Sequence, residues 1–499
     1  MNLYYLALLY FKHMPMALRY TKLMMWLLAA FVVVDLGQAF LQYYHCPMDG
    51  DMVILALPAE YAGEIFSNPT GLKAVMTGEP MGAVGRFTAQ YSLHLFYHHV
   101  PSWLQAFVSP IDSIYLATAL FSLLCHILFL YLMGRMVTRR RNPLARENIL
   151  VYAITTPLLA FYQYYIVQGL IDRSPTYTFY YIWPILIIMA VLIPIVHTIF
   201  YDEEKGFGWL GFILSLIVVI VWSQGGPLIP PLAIIWGLML LGAMGYKYIY
   251  LRKFSGLNLQ QKSHKVYFPA IILIIMILAS GWAYFLKKYN PEFISNDALA
   301  PLADRFKLLL KGLWIILTIE KGFSLLLLVT GINLIIAHKL VPEYWYRFKY
   351  FFFALAIFSL VYLAMLPFGG YRSYRPYIVR YDTLIPVTIC LITVFLHTTY
   401  TLLNTLTSVR LSLFTGMIGI LLLFNIYGDL GIQHLETCEK NALKEISAST
   451  SDTIFLNSNC NILSWEPITS PYTSHMINDM LRVWNITDRD KLFFSKKPE

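Results

Sequence analysis

Two groups of residues in this 499-residue chain have the types and spacing to work on one substrate. The first is the acidic turn in HCPMDGDMVI, where Asp49 and Asp51 flank Gly50. On a flexible turn one carboxylate can act as a general base, or both can hold a divalent cation. The same residues also suit a plain solvated turn, because Asp and Gly are ordinary turn formers. The second group is GGYRSYRPYIVRYD, residues 369–382, which carries Arg372, Arg375 and Arg380 interleaved with Tyr371, Tyr374, Tyr377 and Tyr381. Pro376 interrupts any helix, so the loop can turn its guanidinium groups toward one point, and each guanidinium can grip phosphate oxygens through two parallel hydrogen bonds. Arg and Tyr also anchor helix ends to lipid headgroups, and Asp382 equally suits a cap on the helix that follows.

A third segment, GRFTAQYSLHLFYHHVPSW at residues 85–103, places Arg86, Gln90, His94 and Tyr97 along one helical face. It suits an amphipathic helix lying on a bilayer, or a wall in which Arg86 and Gln90 meet a polar ligand. His94, His98 and His99 lack a third ligand at suitable spacing, so no metal is expected there, and none elsewhere beyond a divalent cation at Asp49 and Asp51. Asp172 and Arg173 fall in a second outer loop and can line the same cleft. Within the spans, Asp35 is the clearest ionisable candidate, ahead of His126, His197, Glu320 and His397.

The elements that must position these groups belong to a membrane protein. Of the chain, 58% is hydrophobic and 13% charged, and the mean hydropathy of +0.59 leaves too little charge to cover a soluble fold. Runs of roughly 20 apolar residues predict eleven spans, near 22–43, 113–137, 148–170, 178–200, 207–223, 227–246, 267–286, 318–338, 348–367, 382–403 and 410–427. The first is read as a retained span and not a cleaved signal peptide. With the amino terminus inside, Arg139, Arg140, Arg141, Arg146, Lys247, Arg252, Lys253, Lys339, Arg347 and Lys349 all fall on the cytoplasmic side, as the positive-inside bias requires. Residues 305–321 are expected to lie in the interface, because Lys307 and Lys311 are costly at depth. The net charge of +9 reports orientation and contact with anionic lipid, and no nucleic-acid motif is present.

The expected fold is therefore an all-α transmembrane bundle of about 11 spans over residues 1–427, with a first outer loop at 44–112 containing amphipathic helices. A small mixed α/β extracytoplasmic domain follows at 428–499, with helices over Glu436–Ile446 and His475–Trp484 and a strand over Thr453–Asn457. Cys46, Cys438 and Cys460 fall outside, and Cys438 with Cys460 is the expected disulfide. Asn485-Ile-Thr487 forms a sequon that matters only in a eukaryotic host.

An inside amino terminus, a long first outer loop opening on an acidic turn, about eleven spans and an outer C-terminal domain together resemble the GT-C superfamily of polytopic glycosyltransferases. The resemblance is architectural and covers most of the chain. It implies transfer of a sugar from a polyprenyl-phosphate-linked donor to a lipid, glycan or protein acceptor at the outer face of a bacterial inner membrane. Asp49 or Asp51 would then be the base, and Arg372, Arg375 and Arg380 the ligands of the donor phosphate. A lipid or lipid-linked-sugar flippase is the competing class, although paired broken helices in two matching halves are not visible. An O-antigen polymerase or ligase would also use outer arginines, without needing the acidic loop.

Overall fold

The computed structural model describes residues 22–57, 60–82, 84–159, 169–201, 208–247, 263–291, 300–371, 375–429 and 431–495. The chain is mostly helical, with a small strand pair. Helix α1 (Lys22–Tyr44) leads into the long connection before the next span, whose described residues form α2 (Gly50–Ala56), α3 (Glu60–Ser67), α4 (Leu72–Thr77) and α5 (Phe87–Leu104). The bundle continues through α6 (Pro110–Thr138), α7 (Arg146–Thr155), α8 (Pro175–Phe200), α9 (Trp209–Trp222), α10 (Ile229–Gly245) and α11 (Ser263–Leu286). After α12 (Leu302–Thr318) come α13 (Lys321–Leu340), α14 (Pro342–Met365), α15 (Tyr381–Thr405) and α16 (Ser408–Gly428). The chain closes with α17 (Thr437–Ala448), β1 (Thr453–Leu456), α18 (His475–Val483) and β2 (Leu492–Ser495).

Among the described residues, eight helices are long and apolar enough to cross a bilayer, namely α1, α6, α8, α11, α13, α14, α15 and α16. Helices α9 and α10 are apolar but shorter, with 14 and 17 residues, because Gly225-Gly226-Pro227 breaks the chain between them. Helix α7 opens the segment expected to span 148–170, and residues 160–168 of it lie outside the described residues. Helix α12 is amphipathic and falls short of a span: Arg305, Leu309, Gly312 and Ile316 are buried while Leu310 and Trp314 are exposed.

Ionisable residues inside the bundle serve as links between helices. Asp35 of α1 accepts a hydrogen bond from Thr156 Oγ1 at 2.6 Å, and Tyr43 donates to the Ile171 carbonyl at 2.9 Å while meeting His126 Nε2 at 3.0 Å. His397 sits between the hydroxyls of Tyr201 and Tyr344. Such contacts satisfy polar groups that lipid cannot, so these positions have a structural purpose of their own.

Tyr44 at the end of α1 donates to Asp112 at the start of α6, which fixes these two ends on one side of the bundle. The opposite end of α6 carries Arg135 and runs into Arg139, Arg140 and Arg141. At that same level Lys247 donates to the carbonyls of Thr198 and Ile199 near the end of α8.

The C-terminal elements form a compact unit whose strands pair in parallel, Thr453 beside Leu492 and Leu456 beside Ser495. Cys438 and Cys460 form a disulfide that ties α17 to the loop after β1. Trp484 is fully buried, donates its indole N–H to the Tyr97 carbonyl at 2.8 Å, and receives Gln105 on its own carbonyl at 2.7 Å, so the unit is seated on α5. Its deepest anchor is Glu439. This buried carboxylate accepts from Met48 N at 3.0 Å, Leu463 N at 2.8 Å and the Tyr115 hydroxyl at 2.8 Å, joining the first loop, the C-terminal unit and α6.

Burial pushes the Glu439 carboxyl up from 4.5 to about 7, against the pull of its three donors. The folded chain holds this proton more tightly than the unfolded one. Stability from this group is therefore fully present below 4.5 and is lost as pH rises through 7. We expect the unfolding temperature of the detergent-solubilised protein to fall across that interval, by the equivalent of roughly 3 kcal/mol at most. In Glu439→Gln the slope should become shallower, with the remainder coming from raised carboxyls such as Asp172. An unchanged slope in that variant would place the titration elsewhere.

Candidate functional site

The arginine loop is held from below. Ile378 and Val379 are buried in a cluster with Leu309 and Ile316 of α12 and Leu384 of α15. Gly312 makes that contact close: a Cβ there would lie 2.8 Å from the Val379 carbonyl oxygen. Arg305, buried in α12, donates to the carbonyls of Ala300 and Pro367 and so ties the same helix to the other end of the loop. At the loop's end Arg380 caps α15, its backbone N–H donating to Thr383 Oγ1 at 2.9 Å. The Arg380 guanidinium pairs with buried Asp382, which also accepts from Thr383 N.

Arg86 is brought in from the opposite wall. Gly85 before it has φ +79°, a conformation open mainly to glycine, and its α-carbon faces the Ala283 carbonyl. Thr88 then clips the start of α5 to the α9–α10 connection through Val221 O at 2.6 Å and Gln224 O at 3.2 Å. In that connection Gly226 has φ +135°, and a Cβ there would lie 2.2 Å from the Tyr180 carbonyl oxygen. The contact falls on a π-helical turn of α8, Thr178–Ile182, a device common where a helix lines a functional site.

Between these walls lies a cleft of about 240 Å³ of water-accessible space. Arg86, Lys287, Arg375 and Arg380 line it together with Tyr181, Tyr362 and Tyr371, and no Asp or Glu is among its described lining residues. Its other surface is apolar, from Leu228, Pro230, Pro231, Tyr284, Met365 and Leu366. Lys287 is steadied by donation to the Phe368 carbonyl at 3.0 Å. The cleft sits at the end of the bundle where α8, α10 and α15 begin and α11 and α14 finish, away from the Arg135–Arg141 end.

The two acidic residues of the turn part company. Asp49 is buried and caps α2, and its two oxygens accept from Asp51 N at 3.0 Å, Thr176 Oγ1 at 2.8 Å, Ser174 Oγ at 2.8 Å and Thr176 N at 3.1 Å. Burial pushes its carboxyl above the usual range while these donors pull it back. Four donors fill the lone-pair sites of a carboxylate, so Asp49 has none left for a cation shared with Asp51. Asp51 is half-buried, and one oxygen accepts from the Trp465 indole N–H at 3.1 Å while the other has no partner among the described residues. Asp51 stands beside the cleft: Trp465, which holds it, packs near Tyr177, and Tyr177 packs edge-on against Tyr181 of the cleft wall. Asp172, half-buried near this point, has its carboxyl pushed up to about 6 by burial and the nearby Asp382, opposed by hydrogen bonds from Ser174 N and the Tyr381 hydroxyl and by Arg173.

Of the residues singled out in the sequence, Arg86, Tyr371, Arg375 and Arg380 share the cleft, Asp382 lies just behind it and Asp51 beside it. Gln90 is fully buried in α5 and does not line the cleft. Arg372 and Tyr374 lie outside the described residues. His94 and His98 both turn to the Ala56 carbonyl. Lys287 is not among the residues singled out in the sequence, because a lysine at the end of a span equally suits a headgroup anchor. Trp465, Ser174 and Thr176 carry no local signal, since their partners lie more than a hundred residues away. No protein-family model matches this chain, and no curated protein or solved structure matches it, so what the cleft does follows from its own chemistry.

Proposed function

We propose that this protein is an integral membrane glycosyltransferase that moves a sugar from a polyprenyl-phosphate-linked donor to a lipid, glycan or protein acceptor at the extracytoplasmic face. The observation that carries this reading is the cleft itself, with four cationic side chains, no Asp or Glu among its described lining residues, and a largely apolar remainder, at the end of the bundle remote from the Arg135–Arg141 cluster. A cavity of this make-up suits an amphiphile with an anionic head. The phosphate meets Arg86, Lys287, Arg375 and Arg380, and the prenyl chain follows Leu228, Pro230, Tyr284 and Met365 toward lipid. The Cys438–Cys460 disulfide supports an oxidising compartment for the C-terminal unit.

In this reading Asp51 is the base and Asp49 its mount. Asp51 takes the proton of the acceptor hydroxyl, and the acceptor oxygen attacks the anomeric carbon. The bond from that carbon to the phosphate oxygen breaks, leaving its electron pair on the phosphate. The guanidinium groups stabilise that charge where it develops, and a single displacement inverts the anomeric centre. Loss of a general base costs about 10²- to 10⁴-fold in rate.

Asp51→Asn should abolish transfer by that factor yet leave binding of a long-chain polyprenyl phosphate in nanodiscs unchanged. Transfer at the parental rate in Asp51→Asn would remove the base from this scheme. Arg375→Lys keeps the charge but loses the two-pronged grip, and should weaken binding of the same phosphate by roughly tenfold. If the parent protein binds a neutral polyprenol as tightly, the cleft is not a phosphate site. Translocation of lipid in proteoliposomes without sugar transfer would move the assignment to a flippase. Gly312→Val should weaken phosphate binding with every arginine in place, because its side chain must displace Val379 and the loop above it; unimpaired binding would mean that α12 does not set the loop's position.

A further inference from the structure

Away from the cleft, three side chains with metal-binding chemistry converge where α1 meets the C-terminal unit. His45 directly follows α1, and His434 and Glu436 lie on the short segment leading into α17. His45 Nδ1 is 2.7 Å from Glu436 Oε1 and 3.0 Å from His434 Nδ1, and His434 Nδ1 is 3.8 Å from the same carboxylate oxygen. Hydrogen bonding alone explains this triangle poorly, because one ring N–H cannot serve both the carboxylate and the facing imidazole nitrogen well. A metal ion explains all three sides. Bonds of about 2.0–2.1 Å to a tetrahedral ion set its ligand atoms roughly 3.3 Å apart, and the three observed separations straddle that length.

A second observation points the same way. Glu436 is 4% exposed, yet its Oε2 has no hydrogen-bond partner among the described residues. A buried carboxylate oxygen without a donor is costly and calls for an explanation. The nearest cation is Lys440, 4.0 Å from Glu436 Oε1, and it is already engaged with Asp112 at 3.1 Å and packed over the rings of Tyr44 and Tyr115.

We infer that His45, His434 and Glu436 bind one divalent transition-metal ion of the zinc class. Two imidazoles and a carboxylate are a donor set suited to such ions, and three protein ligands leave a position for water. Bound there, the ion clamps the outer end of α1 to the unit whose Trp465 holds Asp51. This site is separate from the four-donor bracket of Asp49 and does not depend on what the cleft binds.

The test uses the full chain in nanodiscs, stripped with a chelator and titrated with Co²⁺ and then Zn²⁺. One Co²⁺ per chain is expected, with visible absorption bands of low-coordinate nitrogen and oxygen ligation, and Zn²⁺ should displace it and raise the unfolding temperature. The His434 side chain is 65% exposed, so His434→Gln removes a ligand without disturbing a core. It should weaken binding by roughly 100-fold or more, since loss of an outer hydrogen-bond partner alone costs about 10- to 100-fold. Glu436→Gln should do the same, and neither variant should gain thermal stability from Zn²⁺. Absence of stoichiometric binding, or parental affinity in both variants, overturns the site. Sugar transfer is not read in this titration, so its outcome stands apart from the fate of the proposed enzyme.

Discussion

The short stretch from Met48 to Asp51 is gripped from two sides by buried carboxylate chemistry, and the outer half of the molecule is organised around that grip. Glu439 takes the Met48 N–H, together with Leu463 N and the Tyr115 hydroxyl. One residue later Asp49 reaches the other way and takes two donors from Thr176 and one from Ser174. These carboxyl acceptors, with several donors each, add direction to the apolar packing of Met52, Val53, Leu443, Ile446 and Leu463 around them. Removing either acid would strand several buried donors at once, at about 1–3 kcal/mol apiece. The turn is thus fixed relative to α6, α8 and the C-terminal unit together.

That rigidity matters because the neighbouring cleft is electrostatically one-sided. Arg86, Lys287, Arg375 and Arg380 share it, and no Asp or Glu is among its described lining residues. Like charges gathered against a wall of prolines and leucines repel one another more than they would in open water, because the wall screens them less. An anionic head group relieves the repulsion on binding. In the proposed reaction a phosphate that gains charge as its sugar leaves would relieve it further, so the same groups would favour the departing state over the arriving one.

Much of this was legible in the sequence, for identifiable reasons. Long apolar helices announce themselves by length, and the 369–382 loop stands out because three arginines and four tyrosines crowd into a short run broken by Pro376. The strand at Thr453–Leu456 and the helices around it follow local patterning, but the partner strand at Leu492–Ser495 does not, because parallel pairing joins segments that share no turn. The choice between Asp49 and Asp51 was closed to sequence altogether. Both sit on the same turn beside the same glycine, and what separates them is whether Ser174 and Thr176 arrive from 125 and 127 residues away. Lys287 was missed for a simpler reason: at the end of a span a lysine reads as a headgroup anchor until the opposite wall comes into view.

The C-terminal unit belongs to the site and is not an appendage to it. Gly50 packs so closely on it that a Cβ would lie 2.5 Å from the Trp465 backbone nitrogen, and the Trp465 indole N–H holds Asp51. The same indole ring faces Tyr177, which faces Tyr181 on the wall of the cleft. A continuous path of contacts therefore runs from the outer unit through the proposed base to the cavity that would hold the donor. In the proposed reaction the C-terminal unit helps to position the base through the Trp465 indole. Proton transfer demands heavy atoms at about 2.6–3.2 Å, so the seating of Trp465 and Trp484 constrains the chemistry as directly as the identity of residue 51.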